Sequence, residues 1–307
     1  NEKKKDECRH YFASLEKGDE EAVKIWKWIR EISLKEFNMV YDLLGIEFDS
    51  YNGESFYSDK MQKQVDRMEE LGILKDSEGA KIVDLEKYNL PPALIIKSDG
   101  STIYITRDIA AAEYRHETYH PEKNIYVVAT EQNLHFKQLK AVLEEMQYDW
   151  YDEVTHVAFG MINLADGKLS TRQGRVVYLI DVLNKAIEKI MEILDEREKT
   201  SGVKIENKEE LAKQVGIGAI KFQELFNQRI KDYTFDWDKT LSFEGESGPY
   251  VQYAHARICS LLNKGNFDIN SKIDPTLLNN EMEINILRNL YKFTEVVKDA
   301  AEKYEPF

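Results

Sequence analysis

Near the end of the chain, Tyr250, Tyr253 and Arg257 fall at positions i, i+3 and i+7. At about 100° per residue in a helix, the three share one narrow face. Two phenol rings beside a guanidinium suit unstacked nucleotide bases and a phosphate. Pro249, behind Ser247 and Gly248, reads as the first residue of that helix, because its ring presets φ and no N–H is lost there. Val251, Ile258 and Leu262 form an apolar stripe on a neighbouring face. The same pattern also describes a helix docked by tyrosines whose hydroxyls reach water.

A second set of reactive residues lies earlier. Tyr104 falls near the end of an expected strand over Thr102 to Thr106, and Asp108 in the first turn of the helix after it. In open α/β sheets, ligands bind beyond the carboxyl ends of the strands. A carboxylate there can take two parallel hydrogen bonds from a guanidinium, a geometry that lysine cannot copy. Asp108 is equally explained as an acid that stabilises its own helix N-terminus by about 0.3–1 kcal/mol. From Lys168 to Arg175 there are three cations and no acid, which fits a mobile phosphate-handling loop or an ordinary basic turn after Asp166 and Gly167. His116-Glu117-Thr118-Tyr119-His120 has the HExxH spacing of a zinc helix, with Glu144 or Glu145 as a third ligand. Pro121 puts His120 at the fraying end, so the segment reads more simply as the polar end of the Asp108 helix, and no metal site is expected.

The elements that must position these residues follow an α/β pattern and then an all-α one. Residues 19–45 form a long amphipathic helix, and Met61 to Leu71 a second that ends at Gly72. Ala93 to Lys97 and Thr102 to Thr106, joined by Ser98-Asp99-Gly100, read as a hairpin. A helix over 107–119, a strand from Asn124 to Ala129, a helix from Leu134 to Met146 and a strand from Thr155 to Phe159 complete a βαβ alternation. From Leu179 onward the chain is helical, with breaks near Gly202, Gly265 and Pro275.

Composition narrows the partners. With 307 residues, 42% of them hydrophobic, the chain can build two domains with real cores. No apolar run approaches a membrane span, and no secretory signal precedes the first helix. Cys8 and Cys259 stand alone, which favours a reducing cytosol. A formal charge of −14 confines any nucleic-acid site to a local patch, for which Lys221, Arg229, Lys231, Arg257 and Lys264 are available. Binding there should weaken with salt. The chain opens on Asn1 rather than Met, as expected of a fragment.

Five segments, in order, resemble arginyl-tRNA synthetases, a class I aminoacyl-tRNA synthetase family. They are Tyr51-Asn52-Gly53-Glu54-Ser55, Ser98 through Ala112, Glu131-Gln132-Asn133-Leu134-His135, Lys168 through Arg175, and Ser242 through Arg257. The match runs from about Arg9 to the last residue. It implies the C-terminal part of a Rossmann-like catalytic domain at 1–178, with an insertion at about 1–95 and the signature loop at 168–175. A helical anticodon-binding domain at 179–307 follows. It implies that Glu54, Tyr104, Asp108 and Gln132 bind L-arginine, that His135, Lys168 and Ser170 contact ATP, and that Lys168, Ser170 and Arg172 serve catalysis. It also implies that Glu246, Tyr250, Gln252, Tyr253 and Arg257 contact tRNA(Arg). Leu169 replaces the usual methionine of the signature loop, and Thr171 stands where many class I enzymes carry a second lysine.

The reaction implied is ATP-dependent ligation of arginine to tRNA, with Mg2+ sharing the phosphate charge, in a monomeric cytoplasmic parent. None of the six histidines sits in the His-x-Gly-His tetrad of class I enzymes, so the chain by itself is expected to be inactive. The alternatives are a synthetase-like module that holds tRNA without chemistry, and a zinc peptidase.

Overall fold

The computed structural model describes residues 2–16, 18–164, 167–168, 177–266, 268, 270–272 and 274–307. Helix α1 (Glu2–Glu16) leads into α2 (Glu20–Leu44), which starts where the Asp19 carboxylate accepts from the Ala22 N–H and stops where Gly45 turns left-handed at φ 64°. After a 3-10 turn at Glu54–Lys60 comes α3 (Met61–Glu70). Three antiparallel strands follow, β1 (Leu74–Ser77), β2 (Ala80–Val83) and β3 (Ala93–Ile96), in that spatial order.

The expected hairpin after Ala93 does not form. Thr102 makes a single bridge to Ile96, and the chain then enters α4 (Tyr104–Tyr119) directly. Strand β3 already has β2 on one side, and the Thr106 hydroxyl caps the Ile95 carbonyl at 3.0 Å from within the helix. Tyr104 is therefore the first residue of a helix rather than the end of a strand, and Asp108 lies one turn further on, on the same face.

The βαβ unit is as expected: β4 (Asn124–Ala129) and β5 (Val154–Phe159) pair in parallel, with α5 (Asn133–Glu145) as their crossover. Val65, Met68, Ile95, Ile109, Leu139 and Leu143 meet in one core that fastens α3, β3, α4 and α5 together. This core sets the position of Asp108.

A small mixed sheet joins β6 (Ile162–Leu164) and β7 (Gly167–Lys168) to β8 (Tyr233–Thr234). The second core lies between α6 (Leu179–Ser201) and α7 (Lys208–Phe226) around Leu183, Ala186, Ile190, Ala212 and Ile220. The helices pack closely: a Cβ on Gly216 would come within 3.0 Å of the Ala186 backbone. After the short α8 (Trp237–Thr240), α9 (Gly248–Lys264) packs on α7, and α10 (Glu281–Lys303) ends the chain. Ser247 caps α9 by accepting from the Tyr250 N–H, so Gly248 is the first helical residue and Pro249 the second.

Candidate active site and nucleic-acid interface

The first turns of α4 and α5 bring three of the expected residues together. His135 Nε2 lies 2.7 Å from Asp108 Oδ2, and the imidazole is tilted against the Tyr104 ring with centroids 5.0 Å apart. An ionised carboxylate only accepts, so Nε2 carries the proton and donates to Oδ2. No hydrogen bond reaches Asp108 Oδ1 among the described residues, which leaves it for a donor from outside. His135 is 8% exposed whereas Tyr104 is 59% exposed, so the site has a buried back and an open front. His135 is buried beside Asp108, so it is a partner of that carboxylate rather than a simple helix cap.

Glu54 belongs to the same region but faces a different group. Its Oε2 takes an ion pair from Arg107 Nη1 at 2.6 Å. Residue reading missed Arg107, although its place beside Asp108 at the start of α4 was a visible signal. Gln132 precedes α5 in an exposed position, three residues before His135. Lys168 pairs its backbone with Asn163 in β7, but its side chain, Ser170 and Arg172 lie outside the described residues.

Behind α4 a buried polar cluster fixes the helix. Glu113 accepts from Gln64 Nε2 at 2.5 Å, from the Tyr148 hydroxyl at 2.7 Å and from Lys63 Nζ at 3.0 Å. Burial pushes the Glu113 carboxyl up, but the Tyr148 hydroxyl, Lys63 and Gln64 together hold it below its ordinary value. The same environment pushes the Tyr148 phenol well up. No motif pointed to this cluster, because its members are far apart in the chain and none is unusual locally.

The HExxH segment does not converge on a metal geometry. His116 stacks on Trp150, with centroids 4.7 Å apart at 12°, and its Nδ1 lies 2.9 Å from Glu153. His120 is the left-handed cap of α4 at φ 46°. Among the described residues no group of three or more His, Cys, Asp or Glu is placed to hold a metal ion.

On α9, Tyr250 and Tyr253 are exposed on one face, and Arg257 Nη1 reaches the Tyr253 hydroxyl at 3.4 Å. Gln252 lies apart from them, its Nε2 donating to the Gln214 carbonyl of α7 at 3.4 Å. Glu246 is exposed in the loop before α9 and lines an open cleft of about 1270 Å³ with Lys185, Lys189 and Lys239. That cleft carries both charge signs, and Asp108 is not among its lining residues.

A parallel βαβ unit is followed by a helical extension, and Asp108 and His135 meet beyond the carboxyl end of β4. The family described as "tRNA synthetases class I (R), catalytic domain" matches residues 1–237, and the "DALR anticodon binding domain" matches residues 251–307. The chain belongs to the arginyl-tRNA synthetase family. An arginine–tRNA ligase of Halothermothrix orenii is 56% identical over 306 residues, 100% of this chain and 53% of its own length. Its counterpart in Clostridioides difficile is 55% identical over 301 residues, 98% of this chain and 52% of its own. The chain therefore spans about half the length of the curated relatives it matches. The crystal structure of the Plasmodium falciparum arginyl-tRNA synthetase superposes with a TM-score of 0.79 at 26% identity, covering 98% of this chain and 51% of that one. The Thermus thermophilus arginyl-tRNA synthetase shares the fold with a TM-score of 0.79 at 23% identity, covering 95% and 53%. No helix among the described residues is long and apolar enough to cross a membrane.

Proposed function

We propose that this chain supplies the amino-acid pocket and the tRNA-binding helices of an arginine–tRNA ligase, which joins L-arginine to tRNA(Arg) with cleavage of ATP to AMP and pyrophosphate. The observation that carries this reading is Asp108, held by His135 at the open front of the sheet crevice with one carboxylate oxygen left over. A planar guanidinium satisfies that oxygen and the second lone pair of Oδ2 together, which an ammonium cannot do in one plane. Tyr104 offers a ring face on which a guanidinium can stack, worth about 0.5–1 kcal/mol where exposed. Gln132 lies close enough in sequence to the same helix start to hold the α-amino and carboxylate end of the substrate.

Glu54 reads the substrate only by exchanging Arg107 for the incoming guanidinium. Its side chain is 79% exposed, so the existing pair contributes little and can be exchanged. Lys168, Ser170 and Arg172 are the groups proposed for the ATP phosphates, where Mg2+ on those phosphates would supply further charge neutralisation. Tyr250, Tyr253 and Arg257 are proposed to take bases and a phosphate of the anticodon arm. Glu246 and Gln252 are proposed to bracket that face, Gln252 by docking α9 on α7.

We place catalysis in a monomeric, cytoplasmic parent, with a 1–178 catalytic part and a 179–307 helical part. None of the six histidines forms a His-x-Gly-His tetrad, so the 307-residue chain assayed alone is expected not to turn over. Arginine-dependent pyrophosphate exchange with tRNA present tests both statements. Exchange by the parent and none by this chain supports the reading, whereas exchange driven equally by lysine contradicts it. A second reading, a module that holds tRNA without chemistry, rests on the α9 face alone, and it predicts tRNA binding with no arginine affinity.

A further inference from the structure

The opposite end of the β4–β5 sheet carries a cleft that the arginine site does not use. Asn124 opens β4, whereas the Asp108–His135 pair lies beyond its last residue, Ala129. Five residue steps of strand at about 3.3 Å each put the two ends roughly 17 Å apart. The cleft has a volume of about 270 Å³ and is lined by Asn52, Arg115, Tyr119, Lys123 and Asn124 among others. Its lining includes two cationic residues and no carboxylate residue.

Asn124 is 8% exposed, and its Nδ2 is buried without an acceptor. A buried amide with no partner costs about 1–3 kcal/mol, so its donor calls for an occupant. Arg115 lies near two rings, with its guanidinium carbon 5.6 Å from the Tyr57 centroid and 5.0 Å from that of Tyr126. Both rings lie within cation–π reach, and no ion pair to Arg115 is present among the described residues. Lys123 reaches over the Tyr304 ring at 5.4 Å and makes no ion pair among the described residues either.

We propose that this cleft binds a phosphate group. Three donor-bearing side chains line it, a guanidinium, an ammonium and an amide with no acceptor of its own. The volume lies below the roughly 300 Å³ at which pockets begin to hold drug-sized ligands, so it suits a phosphate and not a whole nucleotide. The carbonyl end of α4 opposes an anion by about 0.3–1 kcal/mol, which two full positive charges outweigh. The phosphate comes either from the backbone of bound RNA or from a free phosphoryl anion.

The test titrates inorganic phosphate into the protein and follows the side-chain resonances of Asn124 Nδ2 and Arg115 Nε by nitrogen NMR. Saturable shifts of both groups are expected, with several-fold weaker binding in Lys123→Gln, a surface change that spares the fold. Arg115→Lys keeps the charge and loses the fork, so it should weaken phosphate binding, with the unfolding temperature measured alongside to separate any loss of its ring contacts. In parallel, the salt dependence of tRNA binding is measured. A slope reduced by about one in Lys123→Gln assigns the phosphate to RNA, and an unchanged slope with phosphate binding intact assigns it to a free anion. Absence of saturable shifts, or shifts that are the same in both variants, overturns the proposal. The RNA arm rests on the proposed ligase reading, but the phosphate arm does not. Loss of arginine activation and loss of phosphate binding are therefore separate results.

Discussion

His135 donates from Nε2 to Asp108 Oδ2 across 2.7 Å, tying the start of α5 to the start of α4. The imidazole is buried and the carboxylate half-exposed, so the pair holds one oxygen in place while leaving the other to solvent. Replacing His135 with Ala removes that restraint. Hydrogen bonds to charged groups contribute about 1.5–3 kcal/mol, so arginine affinity should fall roughly 10- to 100-fold. Titration calorimetry with L-arginine reads this directly, and tRNA affinity should not move.

Glu113 gives a prediction in pH. Its native pKa is held below the ordinary value of 4.5. A depressed carboxyl pKa contributes stability that is complete above the unfolded value and is lost as pH falls through the native one. Urea unfolding from about pH 6 down to pH 3 should therefore show a decline below 4.5 that is shallower in Glu113→Gln. That variant should also be less stable at neutral pH by about 1–3 kcal/mol, because Lys63 and the Tyr148 hydroxyl lose a charged partner. Equal slopes for the two proteins would remove the cluster from the account of how α4 is held.

The sequence made some of this legible and hid the rest for physical reasons. The β4–α5–β5 unit follows from apolar patterns that tertiary contacts reinforce, and α2 was legible from its repeat alone, since it has no fully buried residue. Strands β1 and β2 have four residues each, too few for a period to register, and their turn uses Glu78 and Gly79, both at positive φ. The Thr102 to Thr106 stretch is rich in β-branched residues and looked like a strand. From Tyr104 onward it is helical, because Thr106 satisfies the Ile95 carbonyl and the apolar Ile105 and Ile109 are drawn into the core under β3. Asp108 could be found from its place in a motif. Its partner His135 is 27 residues away, and no local pattern encodes that pairing.

Gly160 marks where the α/β part meets the helical part. Its N–H donates to the Arg229 carbonyl at 2.8 Å, and an added Cβ would lie 2.5 Å from the Lys231 carbonyl carbon. That contact is with backbone, which cannot rotate away. Gly160→Ala should lower stability by about 1–3 kcal/mol, seen as a reduced unfolding temperature in calorimetry. An unchanged temperature would mean that the two segments separate freely at this point.

The most direct test of the central claim is arginine charging by Asp108→Asn in the full-length protein, with tRNA binding measured on the same sample. The amide keeps the shape, but it removes the charge and turns one acceptor into a donor. A fall of about 10³-fold in kcat/KM for arginine, ~4 kcal/mol, is predicted, with tRNA affinity within twofold of the unaltered protein. Charging at an unaltered rate would show that the guanidinium is read elsewhere.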